Sequence, residues 1–343
     1  FWLKHWLKHA DWLEFWLPRV KAAEMAPKAC DSTAWRCLLR ALLAAAAGSA
    51  TAIAAADAGA EGVCDVEGRC GASLEYATDP PCYFPTTLLG VPVAGVKSLG
   101  RTTKLVTFRL PEGTSLNLAV SSALLMNVPG GGKGGKDLVR PYNPVSPPSQ
   151  VGSFDLLVKI YEGGVAGSYV DGLQAGDVVS FKQMKGQVKA WRYPFGKSHI
   201  TMVAGGTGIA PMYQALHLLL GTAGDTTKIK LLYGNARADD ILLKDELDAL
   251  ARAHRERFEV IYVIGTSRDE GSCEATGWTG ERGWIDEEKL RRLAFPPAPG
   301  SAVWLCGVDD MYKSLAGGRL TKGIATGSAL HNLGYSEDMV WRS

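Results

Sequence analysis

The segment that most restricts the fold is a strand that runs through a glycine turn into a helix. His199-Ile-Thr-Met-Val-Ala204 reads as a strand, Gly205-Gly-Thr-Gly-Ile-Ala-Pro-Met212 follows, and helical patterning holds from Pro211 to Leu220. A glycine turn alone is commonplace. A strand before it and a proline at the helix start turn it into a place where backbone N–H groups and the helix dipole can meet a pyrophosphate. The residues that carry this reading are Gly205, Gly206, Thr207, Gly208 and Pro211.

The same alternation repeats downstream. Lys230–Tyr233 precedes a helical stretch from Lys244 to Arg255, and Phe258–Ile264 and Ala302–Cys306 are two further strands. Alternating strands and helices predict a doubly wound parallel sheet over residues 197–343. Upstream, Leu105–Leu110 and Phe154–Tyr161 alternate with period two, and Gly176-Asp177 is a turn leading into Val-Val-Ser-Phe. That pattern predicts a small antiparallel β-barrel over residues 88–196. The expected class is therefore α/β plus all-β, with a helical N-terminal extension. With 46% apolar and 21% charged residues the chain can bury a core, and a net charge of +2 leaves no electrostatic footprint for nucleic acid.

The N-terminal quarter differs in composition. Five of the ten tryptophans fall in the first 35 residues and five of the seven cysteines before residue 83. Phe1–Leu17 has an apolar helical stripe of Leu3, Trp6, Ala10, Leu13 and Leu17, ended by Pro18. Such a helix suits a membrane surface or a partner protein. Cys37–Ala56 is 20 residues with one charge, Arg40, but ten of the 20 are alanine. It is either a marginal membrane span, a targeting remnant or a soluble helix. Residues 1–60 are thus read as an extension with these two helices and residues 61–87 as a linker. Cys64, Cys70 and Cys82 of the linker are spaced unlike a zinc ribbon, and a disulfide and free thiols both stay open.

Some tempting signals fail. Gly130-Gly-Gly-Lys-Gly-Gly-Lys136 fits a phosphate-loop spacing, but Asp137 stands where a magnesium-holding Ser or Thr is needed and no helix follows. It reads as a flexible hairpin loop. Among the histidines only His5 and His9 have an i,i+4 spacing, with no matching carboxylate, so no metal site is expected. Arg140-Pro-Tyr-Asn-Pro-Val-Ser146 is more interesting. An arginine fork can hold phosphate and Tyr142 can offer a ring face to a planar ligand, although two prolines also suit a rigid turn.

Taken in order, RPYNPVS at 140–146, LLVKIY at 156–161, GGVAGSYVDGLQAGD at 163–177, AGGTGIAPM at 204–212, LLYGNARADDILLKDEL at 231–247, and WLCG at 304–307 ahead of DMVWRS at 338–343 resemble the ferredoxin–NADP reductase superfamily, most closely its NADH–cytochrome b5 reductase branch. The resemblance covers about three quarters of the chain. It implies an FAD-binding barrel followed by an NAD(P)H-binding domain. It implies further that Arg140, with Pro141, Asn143, Val145 and Ser146 around it, contacts a flavin-nucleotide phosphate and that Tyr142 packs on the isoalloxazine. Lys159 and Tyr161 would share a strand beside flavin and nicotinamide, and Gly164, Val165, Ala166, Gly167 and Ser168 would cradle the pyrophosphate. Thr207 would sit where nicotinamide meets flavin, with Cys306 and Gly307 at the border of the reacting site. The expected catalytic residues are accordingly Thr207, Cys306 and Lys159.

The chain also departs from that pattern. Asn143 replaces a hydroxyl residue, Gly167 occupies a serine position with Ser168 beside it, and Val165 stands where a lysine is usual. Cys306-Gly-Val-Asp-Asp-Met311 replaces a Cys-Gly-Pro-Pro run, which puts the negative charge of Asp309 and Asp310 near a dinucleotide's path, and Ser343 stands where an aromatic is usual, with Trp341 close by. After Tyr233 the single Arg237 faces Asp239 and Asp240, which favours NADH over NADPH. The expected function is an FAD-dependent NADH oxidoreductase passing electrons to a redox protein such as a haem protein. The alternative is a reductase-like subunit of a large membrane complex with reduced or lost catalysis. An organelle membrane, the mitochondrial inner membrane for preference, is the expected location, reached through Cys37–Ala56 or Phe1–Leu17.

Overall fold

The computed structural model describes residues 82–147, 149–184, 193–265 and 277–343, all within the compact unit Ala77–Ser343. The expectations for Phe1–Leu17, for Cys37–Ala56 and for Cys64 and Cys70 lie outside the described residues. So does Cys273.

Six strands make the first half: β1 (Leu89–Leu99), β2 (Thr103–Arg109), β3 (Leu124–Val128), β4 (Leu138–Tyr142), β5 (Ser153–Lys159) and β6 (Val178–Gln183). They form an antiparallel sheet in the order β4-β3-β6-β1-β2-β5. The two edges meet beyond β4. Pro144 bridges Leu156, and Val145 N–H donates to Asp155 C=O at 2.8 Å. The sheet thereby closes into the expected barrel and leaves few backbone groups unpaired. Period-two alternation sends Phe108, Phe154 and Phe181 inward, where with Phe84 they fill the lumen. A short helix, α1 (Val165–Asp171), follows β5.

The second half is a parallel sheet of β7 (His199–Gly205), β8 (Lys228–Asn235), β9 (Phe258–Ile264), β10 (Glu281–Arg282), β11 (Ser301–Cys306) and β12 (Val340–Arg342), ordered β10-β9-β8-β7-β11-β12. Helices α2 (Ile209–Gly221), α3 (Lys244–Ala253), α4 (Glu287–Leu293), α5 (Asp309–Ala316) and α6 (Ala329–Asn332) lie between its strands in sequence. Strand side chains alternate between two buried layers. Met202, Ala204, Trp304 and Cys306 join one apolar cluster, whereas Val203, Val303 and Leu305 join another with α5 and α6. Burial on both faces explains why these strands read as unbroken apolar runs.

The chain moves outward from β7 to β10 and then returns to β7's other side as β11. Loops leaving β7 and β11 therefore diverge, and a crevice opens at their carboxyl ends. Val120, Val145 and Leu157 of the barrel belong to the same apolar cluster as β7 and α2, so the two halves share one core.

Candidate active site: a cleft shared by barrel and parallel sheet

A cavity of about 1770 Å³ lies at that crevice and extends over the barrel. Pockets for one small ligand usually run to about 300–1,000 Å³, so this one has room for two extended ligands. From the barrel it is lined by Arg140, Pro141, Tyr142, Asn143, Lys159, Tyr161 and Gly164 to Gly167. From the sheet it is lined by Gly205 to Gly208, Asn235, Cys306, Gly307 and Trp341.

The glycine turn is fixed by close approach. A Cβ on Gly208 would stand 2.1 Å from Cys306 O, so only glycine lets the turn press against the backbone of the β11 exit. Tyr233, buried in β8, donates its hydroxyl to Gly206 C=O at 2.9 Å and holds the turn from below. Thr207 borders the cavity. Nearby, burial pushes the Cys306 thiol above its ordinary range, so the thiol stays neutral at physiological pH. Cys306 is a buried part of the cavity wall and not a thiolate nucleophile.

On the barrel side Tyr142 is half-buried, and burial raises its phenol pKa against the opposing effect of Arg140. Arg140 is exposed and donates from Nη1 to Val139 C=O at 3.0 Å, leaving the remaining fork available to an anion. Asn143 donates from Nδ2 to Ser121 C=O at 3.0 Å, and its second amide hydrogen is uncommitted. Ser121 in turn donates its N–H to Gln214 Oε1 at 3.0 Å and its hydroxyl to Pro211 C=O at 3.2 Å. Through Ser121 the barrel, Asn143 and the start of α2 are tied into one rigid unit. Neither Ser121 nor buried Gln214 belongs to a motif, so sequence reading missed both. The one sequence hint is a lone glutamine on the apolar face of a helix.

Several expected residues lie elsewhere. Val145 is buried in the shared core, and Ser146 Oγ accepts the Asp155 N–H at 3.0 Å as a structural brace. Pro211 is buried behind the turn, bonded to Ser121, and does not line the cavity. Ser168 is exposed off the cavity wall, so it does not stand in for Gly167, which packs against β5 with its ideal Cβ 3.3 Å from Ile160 Cα. Tyr161 is not on the strand with Lys159. β5 ends at Lys159; one more ladder bond joins Ile160 N–H to Thr102 C=O, and the chain then turns as Gly164 N–H folds back onto Tyr161 C=O. Lys159 and Tyr161 still meet, with Nζ 5.8 Å from the ring centroid. The loop Gly130–Lys136, expected to be a flexible hairpin loop, contributes Gly131, Gly132 and Lys133 to the wall.

The altered 306–311 segment does not block the cleft. Asp310 faces solvent and pairs with Lys313 at 3.1 Å, while Asp309 shares the wall with Arg319, which donates to Gly307 C=O at 3.1 Å. Trp341 lines the cavity and is packed edge-on to Trp304 at 6.2 Å between centroids. Arg237 is bonded twice to Asp239, at 2.8 and 3.0 Å, and this pairing holds the Asp239 carboxyl below its usual range. An arginine so engaged is a poor host for a 2′-phosphate.

A barrel with an arginine and an aromatic ring, set against a glycine turn at a parallel-sheet switch point, defines a two-cofactor oxidoreductase of flavin and pyridine nucleotide. Residues 91–190 match the oxidoreductase FAD-binding domain and residues 202–316 the oxidoreductase NAD-binding domain. The chain is similar to NADH-cytochrome b5 reductase 2 of Scheffersomyces stipitis, 36% identical over 71% of this chain and 79% of that one. Against the Saccharomyces cerevisiae protein of the same name it is 35% identical over 74% of this chain and 82% of that one. The solved cytochrome b5 reductase domain of Ulva prolifera nitrate reductase superposes with TM-score 0.65 at 28% identity, over 77% of this chain and all (100%) of that one. The chain belongs to the NADH–cytochrome b5 reductase family, and its cofactors are FAD and NADH.

Proposed function

We propose that this chain takes electrons from NADH and delivers them one at a time to a cytochrome b5-like haem protein, and that the roles fall on the cleft residues as follows. Arg140 holds a phosphate of the flavin nucleotide through its free N–H groups. Tyr142 presents its ring face to the isoalloxazine, and the remaining Asn143 amide hydrogen points a donor at the flavin ring edge. The unpaired N–H groups at the start of α1, from Val165 to Gly167, face the flavin pyrophosphate. Thr207 and Cys306 position the nicotinamide, Gly205 to Gly208 with Gly307 let its dinucleotide approach the backbone closely, and Lys159 steadies Tyr161 at the mouth. The bound flavin supplies two-electron acceptance and one-electron release. The protein supplies alignment and a dry site.

The observation that carries this reading is the backbone contact between Gly208 and Cys306. It sets the nicotinamide-side turn and the β11 exit as one surface facing the barrel residues across a single cavity. Anchoring at an organelle membrane, the mitochondrial inner membrane for preference, belongs to the proposal on the strength of the apolar stretch Cys37–Ala56. Retention in the membrane pellet after an alkaline wash supports it, and release into the supernatant removes it.

The purified chain should carry the visible flavin absorption, and excess NADH under anaerobic conditions should bleach it. Added cytochrome b5 should then be reduced. Flavin that resists NADH would instead favour an inert subunit of a membrane assembly. Arg140→Ala should release most of the flavin, and unchanged occupancy would remove Arg140 from the phosphate site.

A further inference from the structure

The start of α1 offers an anion backbone N–H groups but no cation, because its first residues are Val165, Ala166 and Gly167. Val165 is 49% exposed on the cavity wall. The β3–β4 loop lies directly against it. A Cβ on Gly131 would stand 2.9 Å from both Val165 Cγ1 and Val128 Cγ1, so the loop backbone packs on the helix start with no space for a side chain. Two residues on, Lys133 opens a turn of 3-10 helix over Lys133–Gly135 and borders the same cavity as Arg140 and Val165.

This loop is tethered. Asp137 accepts from Asn127 Nδ2 at 2.8 Å and from Gly130 N–H at 3.1 Å, bonds that hold its carboxyl below the usual range. Gly132 N–H donates to Lys136 C=O at 2.7 Å, and Gly135 N–H to Gly132 C=O at 3.2 Å. The carboxylate closest in sequence is thus engaged, and among the described residues Lys133 forms no ion pair. Lys136 is exposed and does not border the cavity.

We propose that Lys133 is a flavin-dinucleotide ligand, placing its ammonium on the diphosphate that faces the start of α1 and supplying the charge that position 165 lacks. The glycine-rich run serves this placement: bare Gly131 lets the loop sit on the helix, and Lys133 follows two residues later on the same cavity wall. The inference rests on the flavin reading above.

The test is rebinding of FAD, and separately of riboflavin, to the full chain stripped of flavin, followed by quenching of flavin fluorescence. Riboflavin has no phosphate, so it reports the ring site alone. Lys133→Ala should weaken FAD about tenfold, the weight of one charge-assisted hydrogen bond, with riboflavin unchanged. The deficit should shrink as salt rises. Adding Val165→Lys to Lys133→Ala should restore FAD binding, and Lys136→Ala should alter neither ligand. Equal FAD affinity of wild type and Lys133→Ala overturns the proposal, as does a parallel loss of FAD and riboflavin. A wild-type chain that takes no FAD at all removes the flavin reading and this inference together.

Discussion

Gly205–Gly208 and Gly130–Gly135 border the same cavity and look alike in sequence, but they contain glycine for different reasons. The first is a junction between β7 and α2 jammed onto the backbone of β11, where the space beyond Gly208 is already taken by Cys306 O at 2.1 Å. The second is a hairpin connection in which Gly134 and Gly135 have positive φ, +68° and +73°, and nothing within 4 Å of an added Cβ. Only Gly131 and Gly132 of the hairpin are crowded, with atoms 2.9 Å and 2.8 Å from their ideal Cβ positions. The first segment is glycine at Gly205 and Gly208 because tertiary packing leaves no volume, with Gly206 alone in a left-handed backbone (φ +53°), whereas the second is glycine mostly because its turn needs a left-handed backbone. A glycine-rich motif therefore says little about phosphate binding until its neighbours are known.

Four measurements press on that contrast, starting with the largest effect. Gly208→Ala must push apart two backbones, and we expect it to cost at least about 3 kcal/mol in urea unfolding, if it folds at all. A loss under about 1 kcal/mol would mean that the turn can back away from β11, and the contrast would collapse. Next, the same packing seals Cys306. Because burial raises its pKa, alkylation of the folded chain should run on the order of a hundredfold slower than for a free thiol. The sign follows for stability as well. The raised thiol contributes fully below the unfolded thiol pKa, about 8.5, and that contribution is lost as pH rises through the folded value. Fast labelling of Cys306 at neutral pH would show the sheet side of the cleft to be open. Gly131→Ala meets valine side chains that can yield, so we expect about 1–2 kcal/mol, read by thermal unfolding. Gly134→Ala meets only backbone strain, for which about 1 kcal/mol is expected from the same melt. Equal losses for Gly131 and Gly134 would show that the loop does not rest on α1.

Much of the fold was legible because its signals are local. The period-two strands of the barrel, the apolar runs of the parallel sheet and the strand–glycine–helix junction each follow from neighbouring residues. The cavity lining was legible where a short motif carries it, as at Arg140, Tyr142 and Gly205–Gly208. It was misread where position depends on distant partners. Ser146, expected among the cofactor-binding residues, braces Asp155, and Ser168, expected as a possible substitute for Gly167, is exposed outside the cavity lining. Tyr161 lies past the end of its strand, in the turn that Gly164 N–H closes onto Tyr161 C=O. Ser121 and Gln214, which lock the barrel to α2 across about ninety residues, carry no pattern that a linear reading can find.

The sequence by itself determined the two halves of the reductase and their order, and it held the arginine, tyrosine and glycine turn that line the cleft. These rest on periodicity and on short-range spacing, which survive in one dimension. The tertiary structure alone decided which residues face the cleft, how Asn143 spends its amide, that Arg237 is already occupied by Asp239, and that a glycine-rich hairpin brings Lys133 to the wall. Those outcomes depend on which backbones touch and which hydrogen bonds are already satisfied, and both are settled only when strands far apart in sequence pack together.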